Sequence, residues 1–385
     1  MKLAVYTDYA YRRDAGGLFA DRAFVLFIGE LARHVDELTL VGRLHPATGK
    51  GERSHYRVPD EVRFLPLPHY ETLADPLAAA RAAAGSRRAF ASVLEEVDAV
   101  WLLGPHPLAI LFAAQAALAR RGVILGVRQD LPTYARTRHP SRRGMHMAAD
   151  ALEAAWRLLA RRIPTIVVGP DLARRYSRAR RLLELSVSLV HERELPDSPP
   201  ERCWDGELTA LSVGRLDREK NPLLLADILR LLREQDPRWR LVVCGEGPLE
   251  EELRARLEAL GLDSYAHLTG YVPHDDGLAE LYRESHALLH VSWTEGVPQV
   301  LFEAFAAGLP VVATAVGGVA EAAGHAALLV APGDAAQPAA ALQQLAANPG
   351  LREGLAQDGL ERVRGHTIEA EAARVAAFIA AGRAD

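Results

Sequence analysis

Cysteine is nearly absent: Cys203 and Cys244 are the only two in 385 residues. Two thiols without metal-ligand spacing exclude a disulfide-stapled scaffold and a zinc ribbon. Lysine is almost as scarce, at Lys2, Lys50 and Lys220 alone. Arginine therefore carries nearly all the positive charge, and a lysine kept in such a background draws notice. No stretch holds eighteen apolar residues in a row, so no membrane-spanning helix is expected. The opening MKLAVYTDYAYRRD reads as a strand running into charge rather than a signal peptide. These absences point to a reducing, cytoplasmic setting and a chemistry without thiols.

What is present is enough apolar residue, 49% of the chain, to build the cores of two domains. The net charge of −5 conceals an asymmetry. Residues 1–200 carry 29 Lys and Arg against 22 Asp and Glu; residues 201–385 carry 16 against 28. A basic half beside an acidic half suits a negatively charged substrate or partner, solvated surface being the plainer reading.

Short Val/Ile/Leu runs alternate with helical patterns. KLAVYTD, ELTLVGRL, VRFLPLP, AVWLLG, GVILGVRQD and TIVVG form one series. LTALSVGRL, RLVVCGEG, AHLTGYV, ALLHVSW, PVVAT and AALLVAP form a second. Such runs read as parallel strands covered on both faces, which predicts α/β architecture with two doubly wound sheets. ELPDSPPERCWDGE (194–207), with its three prolines, reads as the linker between domains at 1–195 and 206–366. Two such halves imply a cleft, with ligands at the carboxyl ends of the strands.

ALLHVSWTEGVPQVLFEAFAAGLPVVAT (287–314) reads as strand, loop, helix, turn, strand. Pro298 suits the first helical turn and Gly308 the left-handed cap after it. Glu295 then lies in the loop at the strand's carboxyl end and Glu303 on the helix. The N–H groups of Gly296, Val297 and their neighbours open that helix, a place that attracts phosphate. A carboxylate accepts two hydrogen bonds, and a vicinal diol supplies two donors. One acid there can grip a sugar and the other a ribose; the alternative is a surface charge at Glu295 and a solvated helix charge at Glu303.

This stretch resembles the donor-site signature of retaining glycosyltransferases of the GT-B fold, family 4 (glycosyl transferases group 1). The resemblance covers about residues 205–335 well and residues 1–200 thinly. It implies that Glu295 faces the donor hexose, with Gly296, Val297 and Pro298 beside it, and that Glu303 binds the ribose. In LSVGRLDREKNPLLLADIL (211–229) it implies that Arg215 and Lys220, the latter at the start of a helix, neutralise the diphosphate. Two cations and helix amides stabilise a departing diphosphate without a metal. CGEGPLEEEL (244–253) resembles the family's glycine turn and brings in Gly245. HLTGYVPHDDGLAELYRESHALLHVSW (267–293) implies backbone near Tyr271 and Val272 against the nucleobase, core packing being the other reading of Tyr271. AGG (15–17) resembles the family's glycine pair, so Gly16 and Gly17 are expected in a strand-to-helix turn whose amides approach phosphate. Relatives also imply that the last helix, about 367–385, packs back on the first domain.

The sequence departs from that family where many members carry a histidine after the strand matching GVILGVRQD; Arg128, Gln129 and Asp130 stand there instead. Asp130 suits an acceptor hydroxyl, Arg128 an acidic acceptor or a phosphate, and His106, one strand earlier, is a further candidate. The resemblance implies front-face attack, the leaving diphosphate oxygen taking the acceptor's proton, with no metal and no cofactor beyond the nucleoside-diphosphate sugar itself. The acceptor is expected to be a small molecule, a glycan or a lipid-linked sugar. The basic clusters at 136–146 and 174–181 lack the aromatic interleaving of a nucleic-acid platform, so no nucleic acid is expected; membrane contact is less favoured than a solvated helix. A sugar-nucleotide epimerase of the same architecture and a non-catalytic sugar-nucleotide-binding protein stand as alternatives.

Overall fold

The computed structural model describes residues 1–46, 56–71, 76–186, 188–273 and 277–382; Lys50 and residues 274–276 lie outside the described residues. The chain divides into two compact units, Met1–Leu185 with Ile368–Asp385, and Ser186–Thr367.

The first unit begins with β1 (Lys2–Asp14), β2 (Gly17–Ala20), α1 (Phe24–Ala32), β3 (Glu37–Leu44), β4 (Tyr56–Arg57), β5 (Arg63–Leu67) and α2 (Pro76–Glu96). It continues with β6 (Ala99–Gly104), α3 (Pro107–Leu118), β7 (Gly122–Val127), α4 (Leu131–Arg138), α5 (Arg143–Ala160), β8 (Thr165–Val168), α6 (Pro170–Arg175) and β9 (Leu182–Leu185). Its parallel strands lie in the order β5-β3-β1-β6-β7-β8-β9. β2 and β4 extend the far end of β1 as antiparallel strands. β6 and β8 are buried almost throughout, as expected of strands with helices on both faces. Trp101, Phe112 and Trp156 fill the space between sheet and helices.

The second unit holds β10 (Leu208–Val213), α7 (Leu224–Gln235), β11 (Trp239–Cys244), α8 (Glu250–Ala259), β12 (Ala266–Gly270), α9 (Ala279–Glu284) and β13 (Ala287–His290). α10 (Gln299–Ala306), β14 (Val311–Thr314), α11 (Val319–Ala323), β15 (Ala327–Val330), α12 (Ala336–Ala347) and α13 (Pro349–Arg364) complete it. All six strands are parallel, in the order β12-β11-β10-β13-β14-β15. Each unit is thus a doubly wound α/β sheet, as the alternation predicts. The strand order reverses beside β1 in the first and beside β10 in the second. Such a reversal opens a crevice at the carboxyl ends of the strands, where ligands bind.

Two expectations need correction. The segment 194–207 is not a free linker: the units part after Leu185, and the segment belongs to the second. Arg202 anchors it, donating to the carbonyls of Ser285 (3.0 Å), Ala307 (2.6 Å) and Gly308 (2.7 Å). Burial lowers the Arg202 guanidinium to about 10. At the other end of the chain α14 (Ile368–Ala381) lies in the first unit, against α1.

Gly16 and Gly17 are the second correction. They form no strand-to-helix turn; they close the antiparallel hairpin of β1 and β2, where Asp14 pairs with Gly17. β1 runs on to Asp14, and α1 starts only at Phe24. Gly17 takes φ +135°, and the Gly16 amide is already bonded to Asp14 Oδ1 at 2.7 Å.

Candidate functional site

In the second unit the strand order reverses between β10 and β13, and Arg215, Lys220 and Glu295 gather there. After β10 the chain passes Gly214 (φ +155°) and Arg215 into a short 3₁₀ turn, Arg218–Lys220. Asn221, left-handed at φ 52°, ends the turn, and α7 begins only at Leu224. Lys220 therefore sits in the loop ahead of the helix, not at its first turn as expected. After β13 the chain passes Ser292, Trp293 and Glu295 before Pro298, which is the N-cap of α10 rather than a residue of its first turn. The two loops are joined by Trp293 N–H donating to the Glu219 carbonyl at 2.8 Å.

Glu295 and Lys220 meet directly: Lys220 Nζ donates to Glu295 Oε1 at 2.5 Å. The same oxygen accepts from Ser292 Oγ at 2.6 Å and lies 2.9 Å from His290 Nε2. All of these contacts fall on Oε1; Oε2 makes no hydrogen bond among the described residues. Burial alone would push this carboxyl up. The Lys220 charge and the hydrogen bonds from His290 and Lys220 outweigh it and hold the group well below the usual carboxylate range. Glu295 is therefore a fixed anion that positions the ammonium. Arg215, half-exposed, pairs with Asp217 Oδ2 at 2.7 Å and with Glu219. Arg215 and Lys220 share a small recess with Gly214, His290 and Ser292.

The backbone around this recess has no room to spare. Gly245 follows β11 at φ +141°, and a Cβ there would lie 2.0 Å from the Gly214 carbonyl oxygen. Gly317 (φ +52°) passes so close to Glu295 that a Cβ would lie 1.9 Å from the Glu295 carbonyl oxygen. The Gly318 N–H donates to the Gly296 carbonyl at 3.0 Å, which fixes the opening of the α10 loop. Among the described residues the N–H groups of Gly296 and Val297 have no partner.

Glu303 lies in the second turn of α10 and accepts from the Tyr282 hydroxyl at 2.7 Å. Burial, then the Glu303 carboxylate, pushes the Tyr282 hydroxyl far above its ordinary value, so it stays a donor. Tyr271 follows β12 half-buried, its N–H 3.3 Å from Glu246 Oε1. Val272 packs against the core beside Cys244, whose thiol is pushed up by burial.

The first unit has its own reversal, between β1 and β6, and the candidate His106 stands there. It caps α3, its Nδ1 accepting from the Leu108 N–H. The Tyr6 hydroxyl lies 3.1 Å from Nδ1 and the Tyr70 hydroxyl 3.2 Å from Nε2. Asp8 stands 3.4 Å from Nε2. Burial lowers the imidazole's pKa, with Asp8 opposing, so His106 is a neutral, buried member of a polar cluster. Asp130 is held on every side: as N-cap of α4 it accepts from the Thr133 N–H (3.2 Å) and hydroxyl (2.7 Å), and it pairs with Arg175 at 2.6 Å. Arg128 lies over the Phe24 ring, 4.1 Å from its centroid, and donates to the Tyr9 hydroxyl. His106, Arg128 and Asp130 all follow carboxyl ends of strands, but none is a free general base.

Sequence reasoning missed His290, Ser292 and Tyr282. The signal for the first two was close at hand, since HVS directly precedes the acidic loop; what the chain does not display is that both side chains turn onto one oxygen of Glu295. Tyr282 comes from α9, a contact that no local spacing announces.

Comparison with known proteins finds relatives over the same segment of the chain. Residues 198–362 match the family of glycosyl transferases group 1. The D-inositol 3-phosphate glycosyltransferase of Actinosynnema mirum is 39% identical over 163 residues, covering 40% of this chain and 39% of that protein. The phosphatidylinositol N-acetylglucosaminyltransferase gpi3 subunit of Schizosaccharomyces pombe is 33% identical over 142 residues, 37% of this chain and 30% of that protein. The matched segment thus spans about a third of the length of these relatives. Solved structures match the whole chain. Sucrose-phosphate synthase from Thermosynechococcus elongatus superposes with TM-score 0.72 at 19% identity, covering 97% of each chain. Anabaena Alr3699/HepE in complex with UDP gives 0.71 at 15%, covering 99% of this chain and 100% of that one. The fold is GT-B. Among the described residues no helix is long and apolar enough to cross a membrane.

Proposed function

We propose that the protein is a retaining glycosyltransferase of family 4. It moves a hexose-type sugar from a nucleoside-diphosphate donor to an acceptor hydroxyl in a metal-independent reaction that uses no further cofactor. The observation that carries this reading is the Lys220–Glu295 pair at the strand-order reversal of the second unit, inside the segment that matches glycosyl transferases group 1. Lys220 and Arg215 neutralise the diphosphate. Glu295 holds Lys220 in place through Oε1, and offers Oε2 to a sugar hydroxyl. The amides of Gly296 and Val297 assist with the phosphate oxygens. Glu303, oriented by Tyr282, takes the ribose hydroxyls, and the backbone at Tyr271 and Val272 meets the base.

In the transfer, the bond between the anomeric carbon and the diphosphate oxygen breaks. The acceptor oxygen bonds to the same face of that carbon, and the acceptor's proton passes to the departing oxygen. Charge grows on the diphosphate, so Lys220 and Arg215 stabilise the transition state more than the ground state. The acceptor is a small molecule, a glycan or a lipid-linked sugar, bound by the first unit. The family match does not favour an epimerase or a pure binder.

The test is product analysis with uridine, guanosine and adenosine diphosphate sugars. The proposal expects release of nucleoside diphosphate and an anomeric configuration retained by NMR. It also expects kcat in Lys220→Ala to fall by roughly 10²–10³-fold, as for loss of a transition-state donor, with a smaller change in donor KM. An inverted product, or wild-type turnover in Lys220→Ala, would count against it.

A further inference from the structure

β3 and β5 end side by side in the first unit. Their parallel register sets Arg43 opposite Leu67, so His45 and His69, each two residues further on, leave the sheet together. Their rings meet edge to face with centroids 4.6 Å apart. Glu71 follows, and one ligand atom from each of His45, His69 and Glu71 lies within 4.8 Å of the other two.

Two details separate this cluster from a chance gathering of polar side chains. His45 Nδ1 lies 2.8 Å from the Pro46 carbonyl oxygen. A carbonyl only accepts, so the proton sits on Nδ1 and Nε2 keeps its lone pair; metal-bound histidines are commonly fixed in this way. His69 Nδ1 is buried and has no hydrogen-bond partner among the described residues, a state that buried polar atoms seldom keep without a ligand or water. The scaffold is already ordered. The His45 N–H donates to the Tyr11 carbonyl at 2.8 Å. Tyr70, between His69 and Glu71, is held by Arg43, which donates to its carbonyl and lies 4.3 Å from its ring centroid.

We propose that His45, His69 and Glu71 bind one divalent transition-metal ion, zinc foremost, which ties together the carboxyl ends of β3 and β5. Two imidazoles and one carboxylate suit zinc, cobalt or nickel, and leave a position for water. Arg12 and Arg43 add positive charge near His69. That disfavours ions held mainly by charge, such as magnesium and calcium, and leaves those that draw on imidazole donation. The ion belongs to the first unit and stabilises it; the diphosphate chemistry assigned to Arg215 and Lys220 does not call on it.

The test uses full-length protein without a histidine tag, stripped by a chelator and titrated with Co²⁺ and then Zn²⁺. One cobalt per chain is expected, with the visible bands of a low-coordinate nitrogen and oxygen site, displaced by zinc. His45→Ala and His69→Ala should abolish the bands, and Glu71→Gln should weaken binding by about tenfold or more, ~1.4 kcal/mol. His267→Ala, altered at an exposed histidine of the second unit, should bind as wild type. If a histidine variant does not fold, Glu71→Gln decides, since Glu71 is exposed. Failure of the wild type to take up cobalt or zinc, or uptake unchanged in the folded variants, would overturn the proposal.

Discussion

Glu295 joins the loops that follow β10 and β13, through Lys220 on one and Ser292 on the other. An anion this buried would ordinarily take up a proton, yet Lys220, His290 and Ser292 converge on it and keep it charged. The arrangement has a consequence for acid stability. The folded-state pKa lies below the ordinary value of 4.5. The stabilisation it contributes is therefore fully present above that value and is lost as pH falls below it toward the folded-state pKa. Glu295→Gln removes the titrating group. The wild type should be the more stable of the two at neutral pH, and the gap between their melting temperatures should narrow on acidification to about pH 3. A gap that stays constant from neutral pH to that point would show that the pair contributes nothing through charge.

At the scale of the element, loop geometry decides where these groups stand. Gly317 precedes α11 and presses against the backbone of Glu295. Gly317→Ala must place a Cβ 1.9 Å from the Glu295 carbonyl in a left-handed backbone, a clash with main chain that no rotamer relieves. It should cost roughly 2–4 kcal/mol of stability and weaken donor binding by moving Glu295. Equal melting temperature and equal affinity would show that the loop gives way freely. Much of this element was legible in the chain. The order strand, loop, helix, turn, strand around EGVPQVLFEAF follows from Gly308, which takes φ +61° as expected of a left-handed cap, and from the apolar runs on either side. What misled lay at boundaries. AGG looks the same in a hairpin as in a strand-to-helix turn, and only the continuation of β1 to Asp14 distinguishes them. Lys220 reads as a helix start because it directly precedes the helical NPLLLADIL, but Asn221 ends a 3₁₀ turn before α7 begins. The chain does not display how Asp130 is engaged, because its cap role depends on Thr133 and its ion pair on Arg175, a residue 45 positions away.

At the scale of the molecule, two doubly wound units were readable from the alternation of apolar runs with helical periods, since parallel strands buried on both faces leave that imprint. The division between them was not. The prolines of 194–207 mark a loop, but only Arg202, half-buried against three carbonyls, shows that this loop is part of the second unit. The acidic second unit nonetheless concentrates Arg215 and Lys220 at the reversal of its strand order, where the topology itself opens a ligand crevice. The most direct measurement is calorimetric titration of the whole protein with UDP, GDP and ADP in turn. The account predicts that at least one binds once per chain. It predicts that Glu303→Ala weakens this binding by about tenfold, ~1.4 kcal/mol, and that the paired variant Arg215→Ala, Lys220→Ala weakens it further. If none of the three nucleotides binds the folded protein, or both variants bind as tightly as the wild type, the account is contradicted.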